Sequence, residues 1–157
     1  MTWGGNMDYI GFFKDSIEES FESMFEEKLT LESEIPAPGC VSSKGVAIVV
    51  GITGKIKGRF LLDMCLDTAV ELAKIFDPHS NDEDFALFSI AEFGNILSGG
   101  AITMINDKFK GTGLRLAPPS IFTGTNSKIF SPNLKAVLLS YTTRFGKIDF
   151  HIGFEGV

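Results

Sequence analysis

The sequence predicts an α+β fold: a single domain whose antiparallel or mixed β-sheet is built from hairpins, with long helices packed on one face. Three observations carry that expectation. Extended patterns are bunched in pairs around turns rather than alternating singly with helices, which favours antiparallel strands. Two long segments repeat apolar residues at three- and four-residue steps, the period of an amphipathic helix. The chain has 157 residues, 44% hydrophobic and 22% charged, enough to bury one sizeable core, whereas two domains would be cramped. Residues 1–157 are therefore read as one domain, with 1–8 a frayed N-terminus.

The elements follow in order. Over residues 7–30, Ile10, Phe13, Ile17, Phe21, Met24 and Phe25 recur among acidic positions and define a first helix. Residues 32–39 hold Pro36, Pro38 and Gly39 and read as a loop. Residues 45–52 are rich in β-branched side chains; with Thr53 and Gly54 as a tight turn and 55–63 as the return strand, they form a hairpin. A short helix over 67–76 has Asp67 as N-cap and Asp77-Pro78 as its stop. The longest helix covers 81–109 and opens on acidic residues, which suit the positive end of a helix dipole.

After it, Gly111, Gly113, Pro118 and Pro119 enclose short extended pieces. A second hairpin joins 135–142 to 147–154 around Arg144, Phe145 and Gly146. Both hairpins place glycine-lysine-isoleucine at the turn exit, a likeness that fits an internal duplication in which each half contributes one hairpin to the sheet.

Composition narrows the function. A net charge of -6 with no Lys/Arg cluster argues against a nucleic-acid partner. Cys40 and Cys65 are too few for a disulfide framework or a zinc site; both are expected reduced, with Cys65 a small apolar filler. The N-terminus shows no secretory signal, and no apolar stretch approaches the roughly 20 residues of a membrane span. A cytoplasmic location without membrane insertion is the expectation. His79 and His151 fall in no metal or triad motif, and the run from Gly51 to Gly54 lacks the ending of a phosphate loop.

The long helix carries the candidate site. At about 100° per residue, Ala86, Leu87, Ile90, Phe93, Leu97, Ala101, Met104 and Ile105 share one side, which should face the core. Glu92, Asn95, Gly99, Thr103 and Asn106 fall opposite, with Glu92 and Asn95 as neighbours three residues apart. Phe85, Phe88 and Ile96 flank this polar line, where a merely solvated face has no use for them. Apolar groups rimming a polar pair suggest a docking surface. Each of Gly94, Gly99 and Gly100 costs the helix roughly 1 kcal/mol relative to alanine. Gly94, on the core side, would allow close packing, and Gly99, beside Asn95, would let a partner's backbone approach. The alternative is that Gly99-Gly100 kinks or ends the helix. The fifteen phenylalanines mark core or an oligomer interface.

The string Ala91-Glu92-Phe93-Gly94-Asn95-Ile96-Leu97-Ser98-Gly99-Gly100-Ala101 resembles the Glu-x-x-Asn signature of the CheC/CheX/FliY family of chemotaxis phosphatases. The 45–63 hairpin, the helix from Asp67, the acidic run 81–84 and the segment 116–124 match the same family in the same order. Only one Glu-x-x-Asn is present, since Glu18, Glu22 and Glu26 of the first helix lack the asparagine, and this resembles the single-site CheX-like branch. Gly100 stands where that family commonly has asparagine, a departure expected to alter packing more than chemistry.

The resemblance implies hydrolysis of the phosphoryl group on the receiver aspartate of a CheY-like response regulator. In that reading Asn95 positions the attacking water and Glu92 pairs with a lysine of the partner. Phe85, Phe88, Ile96 and Gly99 form the partner-binding rim. Mg2+ belongs to the phosphorylated partner, with no metal or cofactor held by this chain, and the chain is a homodimer. The rival reading is a non-catalytic module that docks a receiver domain without hydrolysis.

Overall fold

The computed structural model describes residues 9–79, 82–130 and 134–155. The expected frayed segment 1–8, the first residues of the first helix and the helix start at Asn81 lie outside them. Among the described residues there are three helices, α1 (Tyr9–Phe25), α2 (Leu66–Phe76) and α3 (Glu83–Lys108). The strands are β1 (Thr30–Pro36), β2 (Cys40–Ser42), β3 (Val46–Thr53), β4 (Gly58–Met64), β5 (Arg115–Leu116), β6 (Ser120–Thr123), β7 (Lys128–Phe130), β8 (Leu134–Thr143) and β9 (Gly146–Glu155).

Seven strands form one sheet in the order β1-β8-β9-β4-β3-β5, with β6 also pairing to β3. Every pairing is antiparallel. The two expected hairpins, β3–β4 and β8–β9, lie side by side, and β4 pairs with β9 at the centre. The outer strands are exchanged. β1 follows α1 yet pairs with β8 of the second hairpin, and β6 follows α3 yet pairs with β3 of the first.

Strand alternation sends Val46, Ile48, Val50 and Ile52, then Phe60, Leu62 and Met64, then Ile148, Phe150, Ile152 and Phe154 to the helix-covered face. All three helices pack there as the sequence predicts, α3 in the middle with α1 and α2 against it. Phe93 of α3 meets Phe21 and Phe25 of α1 at 5.2 and 5.3 Å and Phe76 of α2 at 5.7 Å between ring centroids. One side chain thus joins the three helices through tilted and edge-on ring contacts. By length and composition α3 could cross a membrane, but half of its apolar window is buried within the protein.

Several expectations are corrected. Residues 30–36 form a strand, not part of a loop: Leu31 and Ser33 are half-buried while Glu32 and Glu34 point outward, and Pro36 sits at the end of an edge strand where its missing N–H costs least. The first helix stops at Phe25 because Glu26 takes a left-handed conformation (φ 52°). The β3–β4 connection spans 53–57, wider than a tight turn, and is stitched to the loop after α3 by the Lys55 amide donating to the Thr112 carbonyl at 3.0 Å. Cys65 is exposed at the N-cap of α2, its sulfur 3.2 Å from the Thr68 hydroxyl, and Asp67 lies in the first turn instead. Gly99 and Gly100 do not end α3, which continues to Lys108. The small β2–β7 sheet has no counterpart in the sequence reading; its Val41 and Ile129 cover Ala47 and Leu61 on the far face of the main sheet.

That far face also buries charge. Asp63 and Asp149 stand opposite each other on β4 and β9. Asp63 accepts from the Ser43 hydroxyl at 2.7 Å and the Lys44 amide, and burial still pushes its carboxyl above the usual range. The Lys44 ammonium pairs with Asp149. His151 lies between Leu61 and Leu138 on the same face, with Nδ1 unpartnered among the described residues. Burial pushes its pKa down to about 4; Asp149 opposes the shift, while Lys44 and Arg59 reinforce it.

Two outcomes follow from this packing. A folded-state pKa below the unfolded value of 6.5 means that protons favour the unfolded chain. The stability held by neutral His151 is complete above about pH 6.5 and falls as the pH drops toward about 4. In urea titrations from about pH 7 to 4.5, the wild type should lose on the order of 2 kcal/mol more than His151→Leu; parallel losses would refute the assignment. Separately, Phe93→Ala should cost about 3–5 kcal/mol, whereas Phe88→Ala, at a side chain that is 68% exposed, should stay within about 0.5 kcal/mol. Denaturation midpoints of the two variants decide this.

Candidate functional site

The site is one face of α3, and its construction begins at the helix start. The Asp82 side chain accepts the Asp84 amide at 3.0 Å as N-cap, and Glu83 and Asp84 occupy the first turn, where carboxylates complement the helix dipole. The buried side carries Ala86, Ile90, Phe93, Leu97, Ala101 and Ile105, as the periodicity requires, together with Ala91, Ser98 and Ile102. Leu87 and Met104 of the expected core set are half-buried.

The opposite side is open. Glu92 is exposed and Asn95 half-buried, and among the described residues neither side chain has a hydrogen-bond or ion-pair partner. Three residues apart on a helix, their Cβ atoms are neighbours at about 5–6 Å. Phe88 is 68% exposed, Ile96 40% and Phe85 39%, so the helix displays apolar side chains on both sides of the Glu92/Asn95 pair. Phe88 and Ile96 are eight residues apart, about 12 Å along the axis. Gly99 closes the stripe against β5: a Cβ there would sit 3.8 Å from Leu116 Cδ1, ordinary contact distance. The structure therefore brings together on one helical face all six residues singled out from the sequence.

Two others from the polar line serve structure instead. The Asn106 carboxamide donates to the Leu114 carbonyl at 3.0 Å and accepts from the Leu114 amide and the Thr112 hydroxyl at 2.8 and 2.9 Å, fastening the following loop to α3. The Thr103 hydroxyl donates to the Gly99 carbonyl one turn back at 2.9 Å.

Gly94 fits the close-packing role. A Cβ at that position would lie 3.2 Å from Ile48 Cγ2 of β3. The sequence reading missed Ser16, whose hydroxyl reaches from α1 to donate to the Leu97 carbonyl at 2.7 Å. No local pattern announces such a contact between residues 81 apart.

Electrostatically the stripe is anionic. Glu83, Asp84, Glu92 and Asp107 are its charges before the single cation Lys108 in the last turn. An anion approaching Asn95 finds no counter-charge nearby on α3, whose cation Lys108 lies about 20 Å farther along the axis. Among the described residues no three His, Cys, Asp or Glu side chains group as a metal site.

Comparison with known proteins meets this geometry. The family model for chemotaxis phosphatase CheX matches residues 46–142, more than half of the chain, and this span contains the whole Glu92-to-Gly99 stripe. No curated protein sequence matches. The fold is that of a chemotaxis protein CheX from Desulfovibrio desulfuricans, with TM-score 0.83 and 18% identity over 95% of this chain and 100% of that one. CheX in the CheX-CheY-BeF3-Mg2+ complex from Borrelia burgdorferi is 25% identical, with TM-score 0.81 over 96% and 100% of the two chains. CheX from Vibrio vulnificus superposes with TM-score 0.80 at 17% identity over 95% and 97%. With its family match spanning the site-bearing helix, the chain belongs to the CheX chemotaxis phosphatase family.

Proposed function

We propose that this chain dephosphorylates the receiver aspartate of a CheY-like response regulator, with α3 as the inserting element. The observation that carries the reading is the pair of exposed Glu92 and half-buried Asn95 between Phe88 and Ile96, with no hydrogen-bond or ion-pair partner for either side chain among the described residues. A polar pair facing solvent and rimmed by apolar side chains is suited to being covered by a partner.

Each residue has a role its chemistry allows. The Asn95 carboxamide is neutral, can both donate to and accept from a water, and does not repel the phosphoryl anion. Held in line with the P–O bond, that water forms the new bond to phosphorus as the bond to the aspartyl oxygen breaks, giving inorganic phosphate and the partner's carboxylate. Catalysis here is positioning, without a nucleophile from this chain. A carboxylate is repelled by the phosphoryl group, so Glu92 instead pairs with a lysine beside the partner's phosphorylation site. Phe85, Phe88 and Ile96 supply apolar contact, and Gly99 leaves space for the partner's backbone.

The anionic character of α3 supports the same division, since Mg2+ and the cationic groups then come from the partner. The Borrelia burgdorferi CheX complex with CheY, BeF3 and Mg2+ supports the choice of partner. The protein would act in the cytoplasm as a homodimer, which sedimentation equilibrium measures directly.

The test is phosphate release from response regulators of the same genome, phosphorylated at the receiver aspartate. Asn95→Ala should reduce kcat by about a hundredfold or more and leave partner affinity nearly unchanged. Glu92→Ala should weaken binding about tenfold, equivalent to about 1.4 kcal/mol, and Phe88→Ala should cost more than about 1 kcal/mol of binding. Binding without acceleration by the wild type would favour a non-catalytic docking module. Equal kcat for wild type and Asn95→Ala would remove the water-positioning role.

A further inference from the structure

Two glycines bracket the active turn of α3, and each meets a different neighbour. At Gly94 the helix touches the sheet, where a Cβ would fall 3.2 Å from Ile48 Cγ2 and 3.7 Å from Leu62 Cδ2. At Gly100 it touches α1, where a Cβ would fall 2.5 Å from the Ser16 hydroxyl oxygen. The six residue steps from Gly94 to Gly100 span about 9 Å of axis and a net rotation of about 240°. Contacts in two such different directions fix both where a helix axis lies and how the helix is turned about it. Asn95 lies axially between them, one residue after Gly94.

The Gly100 contact is more than an absence of bulk. Ser16 is 3% exposed, and its hydroxyl occupies the volume a side chain at position 100 would take while donating to the Leu97 carbonyl at 2.7 Å. The Ser98 hydroxyl donates to the Gly94 carbonyl at 2.7 Å. The backbone carrying Asn95 and Ile96 is thus gripped at both ends by a buried serine hydroxyl, one of them supplied by another helix. Here lies the physical reason for Gly100: a side chain and the Ser16 hydroxyl cannot share that space.

We propose that Ser16 and Gly100 act as a positioning pair that sets the rotation of α3 and so the aim of Asn95, making Ser16 a positioning residue of the reaction although it lies on a different helix. The proposal rests on the phosphatase reading for its effect on turnover, but the coupling between the two positions does not.

The experiment is a double-mutant cycle of Ser16→Ala, Gly100→Ala and the pair, read by Tm, by kcat and KM for phosphate release, and by the amide chemical shifts of residues 92–99. In the wild-type background, the alanine methyl at position 100 displaces the Ser16 hydroxyl from the Leu97 carbonyl and lowers Tm. In the Ser16→Ala background the nearest atom is a Cβ 3.6 Å away, and replacing a helical glycine raises Tm. Each single variant should lose about tenfold in kcat with KM within about twofold of wild type, and the double variant should lose no more than the worse single.

Gly100→Ala with the same Tm change in both backgrounds would overturn the pairing. Folded variants with shifted Tm but unchanged kcat and unchanged 92–99 shifts would overturn the positioning role. If Gly100→Ala does not fold, Ser16→Ala alone still decides the kcat question. Should the wild type release no phosphate, the phosphatase reading fails, while the Tm cycle and the shifts still judge the positioning.

Discussion

The resting contact of α3 on β3 governs the rest of the molecule. A helix with an apolar-rimmed polar stripe on its open side has to bury the opposite side firmly enough that the stripe does not turn inward. Gly94 against Ile48 brings the backbone itself close to the sheet, and the Phe93 ring clamps α1 and α2 on either flank. Rotating α3 toward Phe85, Phe88 and Ile96 would bury those apolar side chains at the expense of exposing Ile90, Phe93 and Leu97, which are fully buried. The close approach at Gly94 opposes that drift, since only the glycine side of the helix fits so near the strand.

Support on the other face of the sheet is of a different kind. β9 is buried on both faces from Ile148 to Phe154, so the central strands cannot rely on simple alternation between core and solvent. The far face is covered over β3 and β4 by the β2–β7 ribbon, whose Val41 and Ile129 pack on Ala47 and Leu61, and the connection from the ribbon to β3 adds a polar link. Ser43 and Lys44, in the connection from β2 to β3, bond Asp63 and pair with Asp149 Oδ2 across the middle of the sheet, while Asp149 Oδ1 has no hydrogen-bond partner among the described residues. Such a linkage adds little net stability compared with apolar packing, but leaving either carboxylate unpaired would cost several kcal/mol. Its effect is therefore to fix where the ribbon sits.

How much of this was legible in the sequence depended on whether the determining interaction was local. The faces of α3 could be read because helical periodicity is enforced within a few residues: Ile90, Phe93 and Leu97 went to the core and Glu92 to solvent as the pattern requires. Both hairpins were readable for the same reason, strand alternation interrupted by turn residues. The family resemblance then gave the stripe a reaction that periodicity could not. The strand β1 was hidden because Pro36 and Pro38 are loop signals by local chemistry, and only pairing with β8, some hundred residues away, makes 30–36 extended. β2 and β7 are three residues each, too short for alternation to register. Cys65 was misread because apolar character was weighed without the N-cap position it occupies. Ser16 was invisible for a tertiary reason, since its partner carbonyl is on another helix and the matching signal, a glycine at 100, admits several local explanations.

The exchange of the outer strands has a consequence for how the chain can be divided. Each hairpin has its edge completed by a strand that follows the other half's helix: β1 closes on β8, and β6 on β3. No cut between the two hairpins leaves both fragments owning the strands that border their own hairpin, because β1 stays with the first half while β8 goes with the second. Although the architecture reads as two similar halves, neither is a module. The halves are interlocked like links of a chain, and an insertion or fusion belongs at exposed Pro38–Gly39, not at 124–127, where Gly124, Asn126 and Ser127 are bonded through their backbone to Ser43 and Gly45.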